Sequence, residues 1–269
     1  MPDPVQEPAL LAALRPSGEA DMLADLFTPR EGALTLLAKG LAKANSHLAA
    51  KLKPGDELRI GVTRRRLGWP LLTGAEPEQA HPVWQAGLDH LALYWFLLEC
   101  ARLSSGEPEQ NADVFRLLVN LLRSEPDAAA LPGCAGVFAL KLLGLHGLLP
   151  PLGHCALDGH AFAPDEPVYL PASGEGLIGQ AAYVEWRQDA AATGLLRISP
   201  EHRRRWQALL HGPLLDYPQA GADRADAAVL LRLCASALAD LAHQPVRSLE
   251  FLGRQWGLPT GRELVNALQ

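Results

Sequence analysis

Residues 151–162, PLGHCALDGHAF, place His154, Cys155, Asp158 and His160 within seven positions. Thiolate, imidazole and carboxylate are the side chains that hold zinc, and a structural site closes a tetrahedron from four of them, commonly two from each of two loops. All four candidates here come from one loop, and the neighbouring His154 and Cys155 tend to point apart. The pattern is half of a metal site, and the expectation is that no metal is held. A metal-dependent hydrolase would have this loop alone to work with.

Other enzyme signals are weaker still. The chain carries no phosphate loop, dinucleotide glycine fingerprint, nucleophile elbow or zinc-protease helix. GEGLIG (174–179) resembles a glycine-rich loop superficially but follows no convincing βαβ unit. His90 and His146 fall in predicted helices with no partner at ligand spacing. Cys100, Cys134, Cys155 and Cys234 are too widely spaced for a disulfide framework, and Cys100, Cys134 and Cys234 read as buried thiols. No catalytic residue, metal or cofactor is assigned.

The charge distribution carries more. Lys39, Lys43, Lys51, Lys53, Arg59, Arg64, Arg65 and Arg66 stand against Asp56 and Glu57, a local charge of +6 in a chain whose total is −6. Such asymmetry points to a local patch for a polyanion rather than general attraction to nucleic acid. A second cluster is HRRRWQ (202–207). Three consecutive arginines spread around a helix and cannot all face one ligand, so Arg203 and Arg204 are secondary candidates. Aromatic platforms for base stacking are few in the first 80 residues, with only Phe27 and Trp69 as candidates. Phosphate contacts are therefore expected to carry most of any affinity.

Residues 8–79 must position the patch, and they read as five short strands. PALLAALR, ADMLADLFT, ALTLLAKG, ELRIGVTRRR and GWPLLTGAE are separated by Gly and Pro turn signals, with Leu58, Ile60 and Val62 alternating against Arg59 and Thr63. Five such strands suggest a small closed barrel, and the OB-fold is the economical choice. From Pro82 the spacing turns helical: a helix from the first turn at Pro82 to about 103, a second over EQNADVFRLLVNLLR, and a third over GCAGVFALKLLGLHGLL that Pro150 and Pro151 end. Residues 150–198 are irregular. Helices resume behind an N-cap at Ser199 and continue through ADAAVLLRLCASALADLAHQ and SLEFLGRQWG. The expected class is α+β: an OB-fold domain over 1–80, then a helical domain over 81–269 with a loop-rich insert at about 150–198. Hydrophobic residues make up 48% and charged residues 20%, no apolar run reaches membrane-spanning length, and the acidic start lacks a secretory h-region. These features point to a cytoplasmic protein.

Three stretches resemble the RecO family of bacterial DNA repair proteins: GEADMLADLFTPREGALTLLAKGLAK, FALKLLGLHGLLPPLGHCALDG and QPVRSLEFLGRQ. The resemblance spans roughly residues 15–258. It implies an OB domain, a helical bundle and a finger-like insert, and a non-enzymatic, nucleoid-associated recombination mediator. Such a mediator binds single- and double-stranded DNA, anneals complementary strands and works with RecR so that RecA replaces single-strand-binding protein. Single-strand-binding protein and RecF are further candidate partners. The resemblance places the basic segment 39–66 on the family's DNA-binding barrel. In zinc-bearing members the finger is two Cys-x-x-Cys pairs. Here Cys155 fits the first position, Asp158 takes the second, and Gly179 and Ala182 stand where the other pair should be. The expected replacement is an apolar plug of Phe162, Val168, Tyr169, Leu170, Leu177 and Ile178. The alternative reading is a RecO-like protein-interaction scaffold with weakened DNA binding.

Overall fold

The computed structural model describes residues 5–83, 85–171, 176–189, 195–212, 224–260 and 264. The first two residues of GEGLIG lie outside them. The chain divides into two compact units, 1–125 and 126–269.

In the first unit, β1 (Val5–Ser17), β2 (Asp21–Thr28), β3 (Gly32–Ala38), β4 (Glu57–Thr63) and β5 (Leu71–Gln79) close into a barrel in the order β1-β2-β3-β5-β4. This is the OB arrangement the strand pattern predicts, with β3 and β5 parallel at Leu37–Leu71 and every other neighbour antiparallel. Alternation decides which side chains fill it. Leu58, Ile60 and Val62 point in with Ala9, Leu11, Ala24, Leu26, Leu36, Ala38, Leu72 and Ala75, while Arg59 points out. β1 pairs with β4 along its first half and β2 along its second. A register shift between Leu11 and Ala13 supplies the bend that this requires.

Two helices, α1 (Leu88–Leu103) and α2 (Pro108–Arg123), belong to this unit. The buried Tyr94 hydroxyl donates to the Leu11 carbonyl at 2.6 Å, and burial raises its pKa. The Glu57 carboxylate, 3% exposed at the start of β4, accepts from Arg123 at 2.5 and 2.9 Å and meets His81 Nε2 at 2.7 Å. This clasp ties the connecting segment and the end of α2 to the barrel. α1 begins six residues after Pro82. Gly87, at φ 101°, turns the chain into it.

In the second unit, α3 (Leu131–Leu145) is apolar nearly all round, as expected, and packs against α6 (Arg224–Ala242). Gly136 permits the closest approach: a Cβ there would stand 2.9 Å from the Ala227 Cα. Gly147, at φ 65°, ends α3 before the prolines do. Leu148 N–H donates back to Leu143 and Gly147 N–H to Gly144, the hydrogen-bonded stop of a left-handed C-cap. α5 (Pro200–His211) starts behind an N-cap at Ser199, as the sequence indicates, and α7 (Ser248–Trp256) follows α6. The fully buried Asp226 accepts from Trp206 Nε1 and Arg205 and pairs with His202. The insert between α3 and α5 contains β6 (Val168–Leu170), β7 (Ile178–Gly179), α4 (Gln180–Asp189) and β8 (Leu196–Ile198). β6 is the central strand of a small sheet, and α4 has no counterpart in the sequence-based expectation. Among the described residues, no helix is long and apolar enough to cross a membrane.

Candidate nucleic-acid interface

The barrel topology gathers part of the basic segment at one end. Leu37 pairs with Leu71 and donates its N–H to the Pro70 carbonyl at 2.8 Å, which sets the exit of β3 beside the β4–β5 loop. Lys39 lies two residues beyond Leu37, and Trp69 one residue before Pro70. The chain after β3 is pinned where Gly40 N–H donates to Asp21 Oδ1 at the start of β2 and Ala42 N–H to the Ala20 carbonyl in the β1–β2 connection. Leu41 and Leu52 bury into the barrel core, so the long β3–β4 connection lies on the barrel. Lys39 and Lys43 are exposed on it. The β1–β2 and β4–β5 loops of an OB barrel are the loops such folds use for oligonucleotides.

Not every base of the segment is available. Arg59 pairs with Glu78 at 2.5 Å, Lys51 with Glu76 at 2.6 Å, and Arg64 with Glu31. Lys39, Lys43, Lys53, Arg65 and Arg66 are exposed and have no ion-pair partner among the described residues. Four of these, Lys39, Lys43, Arg65 and Arg66, belong to the gathered end. Lys53 lies before β4, two residues ahead of Gly55, whose N–H donates to the Leu11 carbonyl. The β1–β2 connection adds the exposed acid Glu19 rather than a base. Glu7, buried in the first half of β1, has its carboxyl pushed up by burial, with Arg30 and Arg64 partly opposing that shift.

The two aromatics separate cleanly. Phe27 is 2% exposed and belongs to the core, whereas Trp69 is 51% exposed and Leu67 84%. Sequence alone could not sort them, because both lie within stretches read as strands.

Arg203 is withdrawn from the candidates. It is 3% exposed, its guanidinium lies 5.1 Å over the Phe162 ring, and it donates to the Ala163 and Pro164 carbonyls. Burial lowers its pKa. It fastens the insert to α5, a role that a run of three arginines does not disclose. Arg204 is exposed on α5 in the second unit, and Arg205 pairs with Glu201 and Asp226.

The finger-like insert brings Cys155, Asp158 and His160 within 4.8 Å of one another. A structural zinc does not fit there. The second loop offers only backbone at Gly179, and Ala182 is buried without a donor. The space that a side chain at 179 would enter is filled by the His160 imidazole and a Glu166 oxygen. Both imidazole nitrogens are engaged, Nδ1 by Asp158 at 2.7 Å and Nε2 by Glu166 at 3.3 Å. Glu166 also accepts from Ala163 N–H and Gln180 N–H, and Cys155 Sγ accepts from Gly179 N–H at 3.4 Å. A hydrogen-bonded network thus joins the two loops. Beneath it, Cys155, Ile178 and Ala182 pack with Phe162, Tyr169 and Tyr183, the two tyrosines stacked at 3.8 Å. The Cys155 thiol and His160 hold the Asp158 carboxyl down to about 2, and Asp158 foremost raises the His160 pKa. Cys100, Cys134, Cys155 and Cys234 are all buried free thiols.

A closed OB barrel with a cationic loop end, followed by helices that carry a finger-shaped insert, defines the class: a multi-unit OB-fold protein. Residues 1–80 match the model for the recombination protein O N-terminal domain, and residues 86–250 match that for its C-terminal domain. The chain belongs to the RecO family of DNA repair and recombination proteins. It is 26% identical over 198 residues to a DNA repair protein RecO of Bifidobacterium longum (strain DJO10A), covering 72% of this chain and 77% of that one. It is 27% identical over 174 residues to the Myxococcus xanthus protein of the same name, covering 65% and 70%.

Proposed function

We propose that the chain is a recombination mediator that binds single- and double-stranded DNA, anneals complementary strands and acts with RecR to load RecA onto DNA coated by single-strand-binding protein. The observation that carries this reading is the gathering of Lys39, Lys43, Arg65 and Arg66, all exposed and unpaired among the described residues, at the loop end of an OB barrel. Phosphate neutralisation by such side chains drives binding through counterion release and needs no bond-making step. RecR, RecF and single-strand-binding protein enter as the family's partners, and no surface is assigned to them.

A second reading, a protein-interaction scaffold with weakened DNA contacts, draws on the ion pairs that occupy Lys51, Arg59 and Arg64. Single-strand affinity and strand annealing at low and moderate salt separate the two. Binding at low salt that weakens steeply with salt supports the mediator. No binding at low salt supports the scaffold.

A further inference from the structure

The β4–β5 loop holds more than charge. Its tip reads Arg64-Arg65-Arg66-Leu67-Gly68-Trp69, and Leu67 and Trp69 are the two most exposed large apolar side chains of the first unit among the described residues. Both ends of the tip are fixed. On the entry side Thr63 pairs with Leu71 and Arg64 with Glu31; on the exit side Pro70 accepts from Leu37 N–H. Gly68, at φ 80° with open space around its Cβ position, makes the bend between the two apolar residues. A side chain held out on an anchored loop loses little further entropy when it binds. An indole on the same loop as two unpaired guanidinium groups matches one ligand chemistry: an unstacked base with its phosphates on either side.

We propose that Trp69 is the base-stacking platform of this surface, so that the barrel end prefers single strands with unpaired bases over backbone alone. The proposal rests on the DNA-binding reading above. A duplex keeps its bases stacked inside and offers this indole nothing along its length, whereas a single strand offers a π-face at every residue. Trp69 thereby sets specificity while Lys39, Lys43, Arg65 and Arg66 supply attraction.

The test compares the full chain with its Trp69→Ala and Trp69→Phe variants on two probes of equal length, oligo-dT and an oligomer of abasic units with the same phosphates. The intact protein should bind oligo-dT about tenfold more tightly than the abasic oligomer, the size of one stacking contact. Trp69→Ala should lose that preference with its salt slope unchanged, and Trp69→Phe should keep most of it. The melting temperature should be unaffected, because Trp69 is half exposed. Equal affinity of the intact protein for both probes overturns the stacking role and leaves phosphate binding standing. A preference that survives in Trp69→Ala also overturns it. Failure to bind either probe at low salt overturns the DNA-binding reading itself, and the stacking role with it.

Discussion

Replacing Arg65 and Arg66 together by alanine should reduce the salt dependence of single-strand binding by a calculable amount, and replacing Lys51 and Arg59 should not. Each phosphate neutralised on a single strand contributes a log–log slope of about −0.7. Four unpaired bases at the gathered end then give about −2.8, and the Arg65→Ala/Arg66→Ala variant about −1.4. Between about 50 and 200 mM salt the intact protein should lose about 50-fold in affinity and that variant about sevenfold. Lys51 and Arg59 differ because Glu76 and Glu78 already balance them at 2.6 and 2.5 Å. A phosphate there would have to displace a carboxylate. Lys51→Ala/Arg59→Ala should therefore keep a slope near that of the intact protein. Fluorescence anisotropy of labelled oligo-dT across a salt series reads all three. A larger drop in slope for Lys51→Ala/Arg59→Ala than for Arg65→Ala/Arg66→Ala would refute the reasoning that paired bases are withdrawn from the ligand.

Gly136→Ala should destabilise the second unit by about 1–3 kcal/mol, because the added methyl meets the Ala227 backbone, which cannot step aside cheaply; a denaturant midpoint matching the intact protein would count against that packing. Gly179→Ala should loosen the finger-like insert by displacing His160, and the cost should largely vanish in a His160→Ala background, as a double-mutant cycle would show. The His160 contribution to the insert is fully present below the ordinary imidazole value and is lost as pH rises through its raised value in the fold, whereas that of Asp158 is present above the ordinary carboxylate value and fades as pH falls toward 2. Amide exchange at 155 and 162, corrected for intrinsic rate, should therefore be slower at about pH 5.5 than at about pH 8.5. Elemental analysis of the purified protein should find no stoichiometric zinc; one zinc per chain would contradict the network described for the insert.

The period-two alternation of Leu58, Ile60 and Val62 disclosed β4, and turn residues disclosed the closure into five strands. Those signals are local, so one sequence carries them. The pairing of Arg59 with Glu78 is not local. It depends on how β4 and β5 register, with a shift between Glu57 and Leu58 that no spacing rule reports. Arg203 shows the same limit: a charged residue next to two others looks solvated until a loop 40 positions earlier folds over it. Gly87 and Gly147 set the start of α1 and the end of α3 through positive φ, where the nearby prolines were the more visible punctuation. The lack of ligand side chains at 179 and 182 was legible in the sequence. The imidazole that fills the space beside Gly179 was not, because His160 and Gly179 meet only in three dimensions.

If DNA meets the loop end of the barrel, a bound strand lies within reach of the β4–β5 loop. Photocrosslinking to an oligonucleotide carrying 5-iodouracil, followed by mass spectrometry of the digested protein, tests it most directly. Adducts are expected within the β4–β5 loop, on the peptide that carries Leu67 and Trp69. Adducts confined to the second unit, around Arg204, with none on the barrel would contradict it.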